Sequence, residues 1–186
     1  MPTLITPPTA EPVTLAEAKL AARVDGSAHD ALIGGLIVAA REQAEHVAGR
    51  RWIAQTWRHE LTDWPAADVA LPQPDATAVA ISYWNGAAWV SLAGSAFGFG
   101  PLNSGTAIAP AVGASWPTLG DIAIGPRVRV EITSGAASAA GVPEVVKLYI
   151  KACVAHWVDN PGAQPANGKA ETSPLFDRLL DSVRVY

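Results

Sequence analysis

"AAREQAEHVAGRRWIAQTWRHEL", residues 39–61, changes its period partway along, and that change decides the fold. Before the break, apolar residues recur at three- and four-residue steps. Leu32, Ile33, Leu36, Ile37, Ala40, Ala44 and Val47 make one face of a helix, with Arg41, Glu42, Glu45 and His46 on the other. Gly49 ends it. After the break the step is two: Trp57, His59 and Leu61 alternate with Arg58 and Glu60, which predicts a strand.

Reading back from this stretch, Asp25 and Gly26 make a turn, Ser27 is placed to cap the helix, and Asp30 lies in its first turn, where the helix dipole favours a carboxylate. Gly34 and Gly35 fall inside the helix, each costing about 1 kcal/mol relative to alanine, so close helix packing or a subunit contact is expected to offset them. Further back, Thr14 with Glu17 three positions on is a capping box, and a short helix runs to about Arg23. Residues 1–12 contain Pro2, Pro7, Pro8 and Pro12 and no periodicity, which predicts an extended arm.

Reading forward, period two continues in "TAVAISYW" (77–84), with Val79, Ile81 and Tyr83, and in "RVRVEIT" (127–133), with Val128, Val130 and Ile132. Asn85-Gly86 between two aromatic runs signals a hairpin. Roughly five to seven short antiparallel strands are expected. "AGSAFGFGPLNSG" (93–105) and "APAVGASWPTLGD" (109–121) read as surface loops. Helix returns at "VPEVVKLYIKACVAHWVDN" (142–160), with Pro143 at its start and Val146, Ile150, Val154 and Trp157 as a stripe. "PGAQPANGKAET" (161–172) is a linker by composition, and Ser173-Pro174 opens a short helix with Phe176, Leu179 and Leu180 as its apolar face. Val183, Arg184, Val185 and Tyr186 then have the composition of a strand.

The expected fold is therefore α+β, with helical N- and C-terminal segments packed together and an inserted antiparallel β-sheet subdomain. The boundaries are 1–12 for the arm, 13–51 and 142–181 for the helical core, 52–141 for the β-rich insertion and 182–186 for the tail.

Composition narrows the function. A chain of 186 residues is large enough to bury about 70% of its unfolded surface. Hydrophobic residues make up 49% and charged ones only 16%, so the surface has few charges to keep neighbours apart. The net charge is −4, which does not favour the phosphate neutralisation that grips nucleic acid. Cys153 is the single cysteine, in keeping with a reducing compartment. "MPTLITPPTA" lacks the regions of a signal peptide, and the apolar run 31–40 is about half of the ~20 residues a bilayer needs. A soluble, cytoplasmically made protein without membrane contact is expected.

No catalytic motif emerges. Gly113-Ala114-Ser115-Trp116-Pro117 fails as a nucleophile elbow at its last position, and Gly98, Gly100 and Gly105 lie in a lysine-free loop unlike a phosphate-binding one. His29, His46, His59 and His156 are scattered and Cys153 has no second cysteine, so neither a metal nor any other cofactor is expected. Cys153, on an apolar helix face, reads as a core thiol. Glu60 and Asp63 near Trp57 and Trp64 resemble a sugar-processing pair, but read more simply as a strand's solvent side and the start of a turn.

Of the seven tryptophans, those in strands read as core, while Trp116 beside Pro117 is either core or an interface anchor. Arg50, Arg51 and Arg58 form a basic cluster, either complementing a helix dipole or making an electrostatic contact with a partner.

The ordered set "EPVTLAEAKLAARVDGSAHDALIGGLIVAAREQAEHVAGRRWIAQTW", "VRVEITSGAASAAGVPEVVKLYIKACVAHWVDNP" and "LLDSVRVY" resembles the head-tail connector (adaptor) proteins of long-tailed double-stranded DNA phages and phage-like gene transfer particles. The resemblance covers both helical ends, and the middle, about 66–121, matches only in style. It implies a non-enzymatic virion protein, made in the bacterial host cytoplasm and built into the neck as a ring, dodecameric in this family. Its partners would be the portal protein above, a stopper or tail-completion protein below, and its own copies. DNA would pass through the channel without specific binding.

The resemblance also gives the tail a role. Val183, Arg184, Val185 and Tyr186 would add a strand to a sheet edge of the portal; Arg50, Arg51 and Trp116 stay, from the reading of the residues above, candidate contacts with a partner. The alternatives are a tail that pairs with its own sheet or frays, and, for the whole protein, a stopper or tail-completion neck protein or a carbohydrate-binding module.

Overall fold

The computed structural model describes residues 2–160 and 178–185. The linker at 161–172, the start of the last helix at Ser173 with Phe176, and Tyr186 lie outside the described residues. Those described form an α+β fold of three helices, α1 (Leu15–Ala22), α2 (Asp30–Ala48) and α3 (Glu144–Asp159). The strands are β1 (Thr3–Thr6), β2 (Gln55–Leu61), β3 (Ala76–Trp84), β4 (Trp89–Ser91), β5 (Phe97–Leu102), β6 (Gly105–Pro110) and β7 (Val128–Ser134). They divide into two compact units: Thr9–Ile53 with Ala136–Tyr186, and Met1–Pro8 with Ala54–Gly135.

The helical unit starts as its capping box dictates. The Thr14 hydroxyl accepts from Glu17 N–H at 3.2 Å, and Thr14 N–H donates to Glu17 Oε2 at 2.8 Å. The Thr14 side chain and then its backbone hold the Glu17 carboxyl below its ordinary range. Arg23, at φ 55°, ends α1 in the left-handed conformation. Ser27 does not cap α2 with its hydroxyl. His29 occupies the cap position, and the Ser27 carbonyl accepts from Asp30 N–H at 3.2 Å. The turn is instead held from α1, by Lys19 bonded to Gly26 O and to Asp30 Oδ1, the latter at 2.6 Å.

Ile33, Ile37, Ala40, Ala44 and Ala48 of α2 pack with Val146, Tyr149, Ile150, Cys153 and Val154 of α3, and Val13, Ala18, Trp52, Ile53 and Leu180 close the same core. Two assignments on α2 change. Leu32, expected on the buried face, is 58% exposed, whereas Arg41 and Glu45, expected in solvent, are 4% and 3% exposed. Helical period places a side chain around the axis but does not say what covers it. Here Glu11 before α1 and Arg51-Trp52 beyond α2 come onto that flank.

In the β unit the main sheet has the order β1-β2-β7-β3-β4, every neighbouring pair antiparallel. Register sets Trp57 and Val79 opposite Ile132, and His59 and Ile81 opposite Val130, so the alternating residues read from sequence share one face. Val128, Val130 and Ile132 are fully buried there with Ile81, Leu71, Phe97 and Ile108. The opposite face carries ion pairs: Arg58 to Glu131 at 2.6 Å and Arg129 to Glu60 at 3.1 Å.

Two stretches differ from expectation. Thr3–Thr6, within the extended segment at the start, is strand β1, paired with β2. The glycine-rich stretch read as a loop holds β5, which pairs with β6 in a two-stranded sheet turned by Asn103 at φ 52°. Phe97 and Phe99 alternate with Gly98 and Gly100, a period of two that the low strand propensity of glycine hides.

Candidate functional site

The tail and the basic pair meet at the C-terminal end of α2. That end leaves carbonyls without intrahelical donors, and Gly49, at φ 70°, turns the chain away there. Val185 N–H donates to Ala48 O at 2.9 Å, and Arg184 Nε donates to Val47 O at 2.8 Å. Leu180 is fully buried in the helical core and anchors the segment. Val183 closes a 3-10 turn over Asp181–Val183 rather than standing in a strand, and Arg184 beyond it is extended. A Cβ at position 49 would lie at ordinary contact distance, 3.6 Å, from Val185 O, so it is the left-handed turn and not the seating of the tail that calls for glycine.

Three arginines gather at this helix end. Arg50 Nη1 donates to Val183 O at 3.4 Å, and its guanidinium lies 5.8 Å from the Trp52 ring. Arg51 Nη1 is 3.5 Å from Glu45 Oε2, and Arg184 Nη1 is 3.9 Å from Asp181 Oδ1. Cations at the negative end of a helix gain about 0.3–1 kcal/mol each, and Arg50 and Arg51 follow that end, whereas Arg58, the third member of the basic cluster read from sequence, lies on β2 and pairs with Glu131. Half-buried Arg50 and exposed Arg184 nevertheless leave a basic rim around the tail.

Beneath lies a buried ionic network that the sequence did not flag. Arg41 Nε donates to Glu11 Oε2 at 2.9 Å and Arg41 Nη1 sits 3.2 Å from Glu45 Oε2, while Glu45 Oε1 accepts from Trp52 N–H at 3.2 Å. Burial pushes the Glu45 carboxyl above its ordinary range, and Arg41, the Trp52 N–H and Arg51 pull part of the way back. The spacing of Arg41 and Glu45, four apart, was visible as a helical pair; their burial was not.

Trp116 is not part of this cluster; it belongs to the β unit. Its ring stacks on Trp64 at 4.5 Å and 5°, and Trp64 Nε1 donates to Pro117 O at 2.9 Å. This half-buried pair packs against the sheet core. Glu60 and Asp63 do not converge on a cleft. Each faces its own arginine, Arg129 at 3.1 Å and Arg127 at 3.5 Å. The indole of Trp89 lies under Arg129 at 3.8 Å. Cys153 is buried in the helical core. What the α2 end does chemically is hold the tail: its last carbonyls accept from Val185 N–H and Arg184 Nε, with arginines around them.

No family model and no curated protein matches the sequence. The fold, in contrast, has counterparts. The chain is similar to one in the neck of an empty GTA particle computed with C6 symmetry, at TM-score 0.77 and 21% identity over 100% of this chain and 96% of that one. It is similar to one in the virion of a native gene transfer agent (GTA) particle, at TM-score 0.75 and 21% identity with the same coverage. It is also similar to one in the neck of a native GTA particle computed with C12 symmetry, at TM-score 0.67 and 22% identity over 99% and 96%. The chain thus shares the fold of these particle components from end to end.

Proposed function

We propose that this chain is a structural, non-enzymatic subunit of the neck of a phage-like particle, a head-tail connector (adaptor) that assembles as a ring, a dodecamer, beneath the portal. The observation that carries the reading is the end-to-end fold likeness to a GTA neck chain, 100% and 96% of the two chains at TM-score 0.77. The middle of the sequence resembles the connector proteins only in style, so a likeness that includes it adds to what the sequence offered. A charge-poor, net-acidic chain suits a channel that DNA crosses without being held. In this reading a stopper or tail-completion protein binds below, the portal is met by Val183, Arg184, Val185 and Tyr186, and Arg50, Arg51 and Trp116 are candidate contacts with a partner. Within the chain the tail is seated on α2, with Val185 N–H on Ala48 O and Val183 O accepting from Arg50, so strand addition to the portal would exchange these bonds for portal ones.

The test mixes purified protein with the portal ring from the same particle and measures the mass of the complex, alongside a version truncated after Asp181. Full-length protein is expected to load the portal as a symmetric ring and the truncated one to load poorly. If both load equally, the tail is not a portal contact. If neither loads, the connector reading fails.

A further inference from the structure

The main sheet ends in two unlike edges. At one end stands β1, four residues paired only with β2 and exposed along its whole length, with Leu4 and Ile5 at 40% and 38% exposure. At the other end β4 is only three residues long and covers Ser82–Trp84 of the nine-residue β3. Leu92 N–H donates to Ile81 O at 2.8 Å, so the polar groups of Ile81 point outward, and by alternation those of Val79 do too. Among the described residues no strand pairs with that side of 76–80.

We infer that β1 of one copy adds to the open half of β3 in the next copy, joining the main sheets of neighbouring subunits edge to edge. Three observations select this occupant. Edges that stay in water are normally blunted by charge, proline, bulges or shortness; 76–80 has neither a charged residue nor a proline, and β1, though only four residues long and bulged between Leu4 and Thr6, has no charge or proline either. A four-residue strand suits what a three-residue β4 leaves uncovered on a nine-residue strand. Direction also agrees. Because each neighbouring pair is antiparallel, β1 runs opposite to β3, so a copy set beside the first in the same orientation brings β1 antiparallel to β3. Such a contact joins unlike surfaces, as ring closure requires. This inference rests on the ring reading above.

Cysteine pairs test it in the full chain, assembled on the portal ring. Within one chain β1 and β3 are separated by β2 and β7, about 14 Å at ordinary strand spacing. A disulfide needs Cα atoms within about 7 Å, so any bond between them joins two molecules. Thr3→Cys combined with Ala80→Cys, and Thr3→Cys combined with Ala78→Cys, sample two registers. One double variant is expected to oxidise to a ladder running beyond dimer, while each single variant stays monomeric on denaturing gels. Rings seen by native mass without any ladder overturn the edge pairing and leave the ring reading intact. Dimers from a single variant mean a symmetric contact and also overturn it. No ring at all on the portal removes both.

Discussion

In the helical unit the buried polar network is ionic, Arg41 and Glu45 at 4% and 3% exposure, whereas in the β unit it is built on the amide and hydroxyls of Gln73, Thr106 and Ser134, with His59 beside them. Gln73 organises the second set. Its Nε2 donates to Ser134 Oγ at 2.8 Å and to Ile132 O at 3.1 Å, its Oε1 accepts from His59 Nε2 at 3.2 Å, and its backbone carbonyl accepts from Thr106 Oγ1 at 2.6 Å. Both networks join parts of the chain that lie far apart in sequence, but they differ in what a missing partner costs. A buried ion without its counterion has no inexpensive way to be solvated, while a neutral amide or hydroxyl loses one or two hydrogen bonds.

The largest expected effect is therefore on the ionic side. Arg41→Ala takes the arginine from Glu11 and leaves buried Glu45 with only Arg51 and the Trp52 N–H, and should lower stability by about 3 kcal/mol in denaturant unfolding. Pairing Arg41→Met with Glu45→Gln should recover part of that loss. No recovery would mean that Arg41 acts mainly through packing of its stem. Gln73→Ala should cost about 1–3 kcal/mol. A loss as large as that of Arg41→Ala would break the contrast between the two units.

Next in size is a pH effect confined to the helical unit. Glu45 is raised in the folded chain, so it binds its proton more tightly there than when unfolded. Its contribution is fully present below the ordinary carboxylate range and is lost as pH rises through the raised value. Unfolding measured across that window should show wild-type stability falling with pH relative to Glu45→Gln. A difference of the opposite sign would mean that the two arginines outweigh burial. The smallest effect belongs to the solvent face of the sheet, where Glu60→Gln removes a partly exposed pair with Arg129 and should cost less than about 1 kcal/mol.

Local chemistry made much of the architecture legible. The capping box at Thr14 and Glu17, the stop at Gly49, the stripe of α3 and the alternation of β7 each depend on neighbours a few residues away, and the fold uses all of them. The candidate site was legible only as ingredients, a basic pair and an apolar tail. That they meet at the end of α2 depends on a return of 137 residues between Arg184 and Val47, for which spacing in sequence leaves no mark.

By itself, then, the sequence determined the α+β class, the positions of the helices, and the face each central strand presents, because these follow from periodicity and caps. Tertiary structure alone decided that Arg41 and Glu45 are inside, that Thr3–Thr6 and the glycine-rich Phe97–Leu102 are strands, and that the tail seats on α2. In each case the deciding partner is distant in the chain, and burial or strand pairing is a property of the pair rather than of either segment.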